Sequence, residues 1–383
     1  MITLERLITR FQEVFGEGDS PVIVRSPGRV NLIGEHTDYQ EGFVLPGAIN
    51  RYIYVVGRKK GKEIRIFSEK FQELVTLTLE EVESFRRKKS WVTYILGFFS
   101  LLRERIEDRG VEIYVDGDLP IGKGLSSSAS LEIGVGSLLR ELWELPLEDM
   151  ELIKLAHQVE NEFVGVPCGI MDQFVILKGK RNKLVFIDTR SLRFDYFPFP
   201  EEAGILIIDS GVKRELTEGG YRERRLETET AVKVLKKFFP EIKTLRDLSA
   251  RIEEWEDLLP PLLARRARHV VTENERVRKA CEALNRGDLM TLGKLLVSSH
   301  ESLRKDYEVT CPEVDTLVDI TLAQEGVYGA RMTGAGFGGC IIALIKKGRE
   351  EEIRRKVLSR YGKGEVFNLS ASLVEGAEVW NKS

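Results

Sequence analysis

The chain has 383 residues, a length that suits two domains or three. Its 58 Lys+Arg are balanced by 61 Asp+Glu, and a net charge of -3 argues against a surface built for nucleic acid or another polyanion. Four scattered cysteines (Cys168, Cys281, Cys311 and Cys340) form no C-x-x-C pair, so neither a zinc site nor a disulfide framework is signalled and a reduced, cytoplasmic setting fits best.

Residues 1–16, MITLERLITRFQEVFG, place apolar side chains at helical spacing among charges, unlike the unbroken apolar core of a signal peptide. No later run is long enough to cross a membrane. PVIVRSPGRVNLIG reads as a short strand entering a Pro/Gly turn, and RYIYVVGRKK, EIRIFSEK and LVTLTLE read as further strands. Consecutive strands imply antiparallel pairing. A helix over WVTYILGFFSLLRERIEDRG, the strand VEIYVDGDL, a Gly/Ser loop and the helix SSSASLEIGVGSLLRELWE follow. Strands first and crossovers later predict an α+β protein, not a doubly wound parallel sheet. After the strand-rich KLVFIDTRSLRFDYFPFP, the Pro-containing FPFPEEAG reads as a connector and places a domain boundary near residue 198, dividing 1–198 from 199–383. Long charged helices dominate residues 220–325, and YGARMTGAGFGGCIIALIKKG reads as a glycine-rich loop feeding a buried strand.

Four segments concentrate chemistry. GDLPIGKGLSSSAS (117–130) satisfies G-x-x-x-x-G-K, yet Gly124 occupies the position where a P-loop has its magnesium hydroxyl. Glycines followed by a helix start still suit an anion, because the first N–H groups of a helix are free and carry partial positive charge; a Ser N-cap after a Gly turn has the same pattern. RSPGRVNLIGEHTDYQEG (25–42) gathers Arg29, Glu35, His36 and Asp38 in a loop-like stretch suited to a polyhydroxylated ligand, or to a solvated turn. In VENEFVGVPCGIMDQF (159–174), Glu160 falls on a helix beginning near Leu147, and Asp172 has apolar neighbours that call for a cation such as Arg29. An N-cap role is the simpler alternative for Asp172. RMTGAGFGGC (331–340) suggests a backbone packed closely on a ligand or another loop.

Taken in this order, the segments resemble the galactokinase branch of the GHMP small-molecule kinases. GRVNLIGEHTDY is similar to that branch's signature, LPIGKGLSSSAS to the superfamily's ATP loop and RMTGAGFGGC to its C-terminal glycine motif. VENEFVG, CGIMDQF and TENERVRKACEALNRGDL resemble family segments as well. The resemblance implies a two-domain fold with a ribosomal-protein-S5-like N-terminal domain of mixed or antiparallel sheet, a helix-rich α+β C-terminal domain and an active site in the cleft between them. It implies ATP-dependent phosphorylation of the C1 hydroxyl of α-D-galactose, with a kinase for a sugar such as N-acetylgalactosamine, or a non-catalytic galactose and ATP sensor, as alternatives. Galactose and ATP would then be the small-molecule partners, Mg2+ the metal, and the protein a cytoplasmic monomer.

Residue by residue, Glu35, His36, Thr37, Asp38, Gly169 and Tyr221 would hold the sugar. Gly122, Lys123, Gly124, Leu125, Ser126, Ser127 and Ser128 would wrap the nucleotide phosphates, with Ser68 and Trp91 near the nucleoside. Ser128 and Glu160 would ligate Mg2+, and Asp172 would accept the proton opposite Arg29. Lys123 departs from the family pattern, which has a small residue there, and is expected to face solvent. Gln40-Glu41 and Gly219-Gly220 also depart from it, at loop rims.

Overall fold

A computed structural model describes residues 2–106, 109–212, 217–248, 251–363 and 366–382. The strands in chain order are β1 (Val22–Asn31), β2 (Phe43–Val44), β3 (Pro46–Lys59), β4 (Ile64–Ser68), β5 (Glu73–Leu77), β6 (Val111–Gly117), β7 (Lys183–Asp188), β8 (Arg193–Pro198), β9 (Ala203–Asp209), β10 (Val327–Met332), β11 (Cys340–Lys346), β12 (Asn368–Ala371) and β13 (Glu378–Val379). No helix among the described residues is long and apolar enough to cross a membrane.

The first sheet runs β13-β1-β3-β6-β4-β5. Its back is covered by the helix Leu4–Phe15, in which the i, i+4, i+8 spacing of Leu7, Phe11 and Phe15 makes one apolar face against Tyr54, Val56 and Tyr114. Thr3 caps that helix by accepting from Arg6 N at 3.2 Å, and Gly16 at φ +80° ends it. Full burial of Leu7 and Phe11 stabilises the fold by about 1.5–3 kcal/mol each.

Three local expectations change. The stretch from Val22 does not turn at Pro27; β1 continues to Asn31 with its register shifting between Pro27 and Gly28. The bulge accommodates a residue that lacks an N–H, and the second half of the strand delivers Arg29 and Asn31 to the cleft. This half is buried throughout, because the helices Ser127–Leu142 and Met171–Lys178 cover it, so its period-2 signal is lost. The helix expected from residue 91 breaks at Leu102 into Thr93–Leu101 and Arg103–Ile106. Pairing is antiparallel except between β4 and β6, which run parallel (Ile66 beside Ile113). The intervening helix provides the crossover that parallel strands require.

The second sheet, β10-β11-β9-β12, is antiparallel, with Ile207 beside Ile342. The helix Pro312–Leu322 packs on β10 and β11 and the helix Leu289–Ser302 on β10. Together with a small β2-β7-β8 sheet these elements form the α+β architecture expected. The chain then returns: β13 pairs with β1 at Val24–Val379, and the Trp380 ring lies 5.2 Å from that of Tyr54. Residues 378–380 therefore pack on the N-terminal sheet, although they lie beyond residue 198 in sequence.

Candidate active site

The glycine loop, the 25–42 segment, the 159–174 segment and residues 334–335 all line one cavity of about 680 Å³ between the two sheets' domains. At its centre Arg29, only 5% exposed, makes a bidentate pair with Asp172: Nε to Oδ1 at 2.6 Å and Nη2 to Oδ2 at 2.7 Å. Its third nitrogen, Nη1, donates to Gly124 O at 2.6 Å, so one guanidinium ties the nucleotide-loop candidate to the carboxylate. Burial opposes the charge on Arg29, but Asp172, Glu35 and Asp38 outweigh it and raise its pKa. Asp172 lies in the first turn of Met171–Lys178, whose N-cap is Ile170, so it is not the cap residue.

Ser126 holds the N-cap position of the helix Ser127–Leu142, yet its hydroxyl caps nothing. It donates to Asp172 Oδ2 instead. Its backbone takes the left-handed region, φ +61°, rather than the extended form usual for a cap. The first-turn N–H groups of this helix are thus left without a side-chain cap, beside a cavity lined by Gly122, Gly124 and Ser126 through Ser128. That arrangement can receive an anion.

Asp38 and Gly169 meet across the cavity. A Cβ on Gly169 would lie 1.9 Å from Asp38 Oδ2, so any side chain there would push the Asp38 carboxylate from its present position. Asp38 accepts from Tyr39 N at 3.0 Å, and burial, followed by the neighbouring Asp172 and Glu35, pushes its pKa up to about 7. Glu35 lines the cavity but is already engaged: Oε2 accepts from Asn31 Nδ2 at 3.0 Å, and Oε1 from Thr333 Oγ1 at 3.0 Å and Gly334 N at 2.7 Å. His36 lies at φ +60°. Its Nδ1 is 2.9 Å from Tyr39 Oη and its Nε2 is 3.1 Å from Ala335 O, and burial lowers its pKa to about 3. A neutral ring donating from Nε2 to the carbonyl and accepting at Nδ1 satisfies both contacts. Tyr39, Tyr221 and Tyr307 rings surround it within 4.9–5.9 Å. Tyr221 and Arg222 close the cavity from the far side.

Glu160 occupies a π-helical turn, Val159–Val164, that ends the helix begun at Asp149, a device common near functional sites. Burial, then Asp172, raises its pKa against hydrogen bonds from Cys168, Ser128 and Gln173. Ser68 is buried at the cavity wall, and Trp91 stacks on Phe71 with centroids 5.7 Å apart.

Three expected contacts move elsewhere. Thr37 is fully buried and donates to Gly34 O and Phe43 O at 3.0 and 2.8 Å, so it shapes the loop and does not line the cavity. Leu125 has its side chain in the core, and only its peptide reaches the site, accepting from Arg29 N at 3.1 Å. Lys123 does not face solvent alone, because its ammonium lies 2.5 Å from Asp209 Oδ2. Several supports went unanticipated: Glu273 accepts from Gly34 N at 2.9 Å, Asn274 from Phe43 N at 2.8 Å, and Gln173 bridges Glu160 and Glu132. The T-E-N-E-R run carrying Glu273 and Asn274 was a signal for the first two, since it groups acid, amide and base inside a helical pattern.

An uncapped helix N-terminus beside glycines, an Arg–Asp ion pair and a wall of polar side chains thus share one cleft. Family models match in succession for the galactokinase galactose-binding signature over residues 9–59, the GHMP kinases N terminal domain over 93–180 and the GHMP kinases C terminal domain over 280–364. A solved mevalonate kinase shares the fold at TM-score 0.65 and 22% identity, covering 92% of this chain and 99% of that one. The class is that of the GHMP kinases. Within it, galactokinase from Lactococcus lactis, solved with galactose, matches at TM-score 0.94 and 37% identity over 98% of this chain and 100% of that one. Galactokinases of Chloroflexus aurantiacus and Pyrococcus furiosus are 44% and 41% identical over 348 and 343 residues; these cover 90% and 89% of this chain and 89% and 94% of theirs. The chain belongs to the galactokinase family.

Proposed function

We infer that the protein transfers the γ-phosphoryl group of ATP to the C1 hydroxyl of α-D-galactose, giving α-D-galactose 1-phosphate and ADP. The observation that carries this is the Arg29–Asp172 pair set between an uncapped helix N-terminus and the Asp38–Gly169 wall, all facing one cavity. Phosphoryl transfer needs alignment and charge neutralisation more than covalent help from the protein. The C1 oxygen forms the new bond to phosphorus as its proton passes to an Asp172 carboxylate oxygen, and the bond from phosphorus to the β-phosphate oxygen breaks, releasing ADP. Arg29 holds Asp172 in line for that proton and adds positive charge where the transferring group gathers negative charge. Asp38 accepts hydrogen bonds from sugar hydroxyls, Gly169 leaves room for the Asp38 carboxylate, and Tyr221 and His36 wall the ring. Gly122, Gly124 and Ser126 through Ser128 present N–H and hydroxyl groups to the phosphates; the apolar faces of Phe71 and Trp91, with Ser68, form the slot for the base.

Mg2+ fits the donors present. No group of three or more His, Cys, Asp or Glu among the described residues could hold a metal by itself, but Mg2+ on a nucleotide keeps waters and phosphate oxygens and needs only one or two protein oxygens. Glu160 and the Ser128 hydroxyl, which hydrogen-bond each other, would be those ligands. When bound, the ion would neutralise phosphate charge. The division into 1–198 and 199–383, with the last strand returned to the first sheet, and a monomeric cytoplasmic form complete the proposal. The four cysteines form no disulfide among the described residues, which fits a reducing compartment.

A coupled ADP-release assay over galactose, 2-deoxygalactose, N-acetylgalactosamine, arabinose and glucose, with mevalonate and homoserine as controls, tests the function. Galactose should give the highest kcat/KM; turnover with only a non-sugar overturns the proposal. The state of Asp38 gives a second test. Because its pKa is raised to about 7 in the free protein, the carboxylate form that accepts two hydroxyl hydrogens is scarce below neutrality. The kcat/KM for galactose should therefore fall about tenfold per pH unit on the acid side of pH 7 and level off above it. Asp38→Asn should abolish that limb, and a limb that persists in the variant assigns the titration to another group.

A further inference from the structure

Lys123 sits between Gly122 and Gly124, at φ +72° and +80°, and Ser126 also has positive φ. An added Cβ at Gly122 would meet nothing within 4 Å, so this part of the loop has no packing to hold it. Glycines on both sides of Lys123 carry much conformational freedom, which must be lost before the loop can wrap phosphates. The Lys123 side chain supplies the missing anchor. Its Nζ is 2.5 Å from Asp209 Oδ2 at the end of β9, with side-chain exposures of 33% and 2%. The other oxygen, Asp209 Oδ1, is buried without a hydrogen-bond partner among the described residues. The lysine is thus the charge partner of a dry carboxylate. β9 belongs to the second sheet, so the pair ties the loop to that sheet and joins residues 86 positions apart. One residue further along, Gly124 O is fixed by Arg29, and next to it Leu125 O accepts from Arg29 N.

We propose that the Lys123–Asp209 pair is a strap that orders the nucleotide loop in advance and fastens it to the second sheet, making Lys123 a positioning residue for ATP and not a phosphate ligand. The proposal rests on the placement of the nucleotide at this loop. Loss of the strap transfers the cost of ordering the loop to the binding step, which falls on ATP and not on the sugar.

The test uses the full-length protein with K123M, D209N, the double variant and K123R. K123M and D209N should each raise KM for ATP about tenfold, leave KM for galactose within about twofold, and speed amide hydrogen exchange at residues 121–127 without nucleotide. The double variant should be no worse than either single one, since both remove the same interaction, and K123R should restore wild-type behaviour. D209N separates the strap from its rival, because a lysine released by D209N that contacts phosphate would leave KM for ATP unchanged or lower it, and that result overturns the proposal. Equal shifts in both Michaelis constants, or unchanged exchange, also overturn it. A non-hydrolysable ATP analogue should protect the same amides in the wild type. If it does not, the nucleotide lies elsewhere and the strap falls with that placement; if it does, while the variants keep the wild-type KM, the strap alone is wrong.

Discussion

Asp172→Asn should lower kcat at least about a hundredfold while the Michaelis constants for galactose and ATP stay within a few-fold. The substitution keeps the shape of the side chain, so the cavity should keep its form. What changes is chemistry. An amide cannot take the C1 proton, and one of its two ends carries N–H donors, so it cannot accept from both Arg29 Nε and Nη2 as the carboxylate does at 2.6 and 2.7 Å. The Ser126 hydroxyl loses its acceptor if that end turns toward it. Single-turnover phosphoryl transfer measured beside binding of each substrate checks the prediction. A variant with near-normal turnover would show that Asp172 neither accepts the proton nor holds Arg29 in a productive place.

The parts of this site legible in the sequence were those carried by contiguous residue types. EHTDY, GLSSSAS and CGIMDQF each place their polar groups within a few residues, so their chemistry could be read before their geometry. The α+β class was legible for a similar reason, since runs such as ILIIDSGV and CIIALI are too short and too apolar for exposed helices. Pairings over long distances were not. Nothing local to Lys123 distinguishes a lysine in solvent from one paired with Asp209, and nothing local to β4 reveals that it runs parallel to β6. β10 was folded into the glycine-rich stretch because its Tyr328–Gly329–Ala330 run has no alternation. Gly329 is small for a reason found elsewhere: its added Cβ would lie 2.3 Å from Gly293 O on the neighbouring helix. The π-helical turn at Glu160 was missed because one extra residue per turn leaves the apolar spacing almost unchanged over so short a stretch. Ser126 shows the opposite case. Its sequence position was right for a cap, but Asp172 competes for the hydroxyl and wins.

The loop carrying Gly34, Glu35 and His36 depends on a residue outside it. Glu273 on the helix Pro261–Arg286 is wholly buried, accepting from Gly34 N and from Ser299 Oγ at 2.6 Å, while its second oxygen takes Arg276 Nε at 2.6 Å. Burial opposes its charge, but Arg276, His269, Arg331 and the Ser299 hydrogen bond outweigh burial and lower its pKa to about 2 from 4.5. Because the folded state holds the carboxylate ionised more strongly than the unfolded chain does, its contribution is complete above about pH 4.5 and is lost as pH falls toward about 2. Glu273→Gln should lower the unfolding free energy by about 3 kcal/mol at pH 7, since it leaves Arg276 without its buried partner and sets an amide N–H against a donor. The gap between variant and wild type should narrow steadily below pH 4.5. Gly34 lies next to Glu35 and two residues from His36, so freeing its N–H should also raise the KM for galactose while leaving that for ATP nearly unchanged. Urea unfolding at several pH values, paired with kinetics at pH 7, separates the two effects. A gap that stays constant from pH 7 to pH 3 would show that the charge of Glu273 does not stabilise the fold, and an unaltered galactose KM would show that the loop keeps its shape without this anchor.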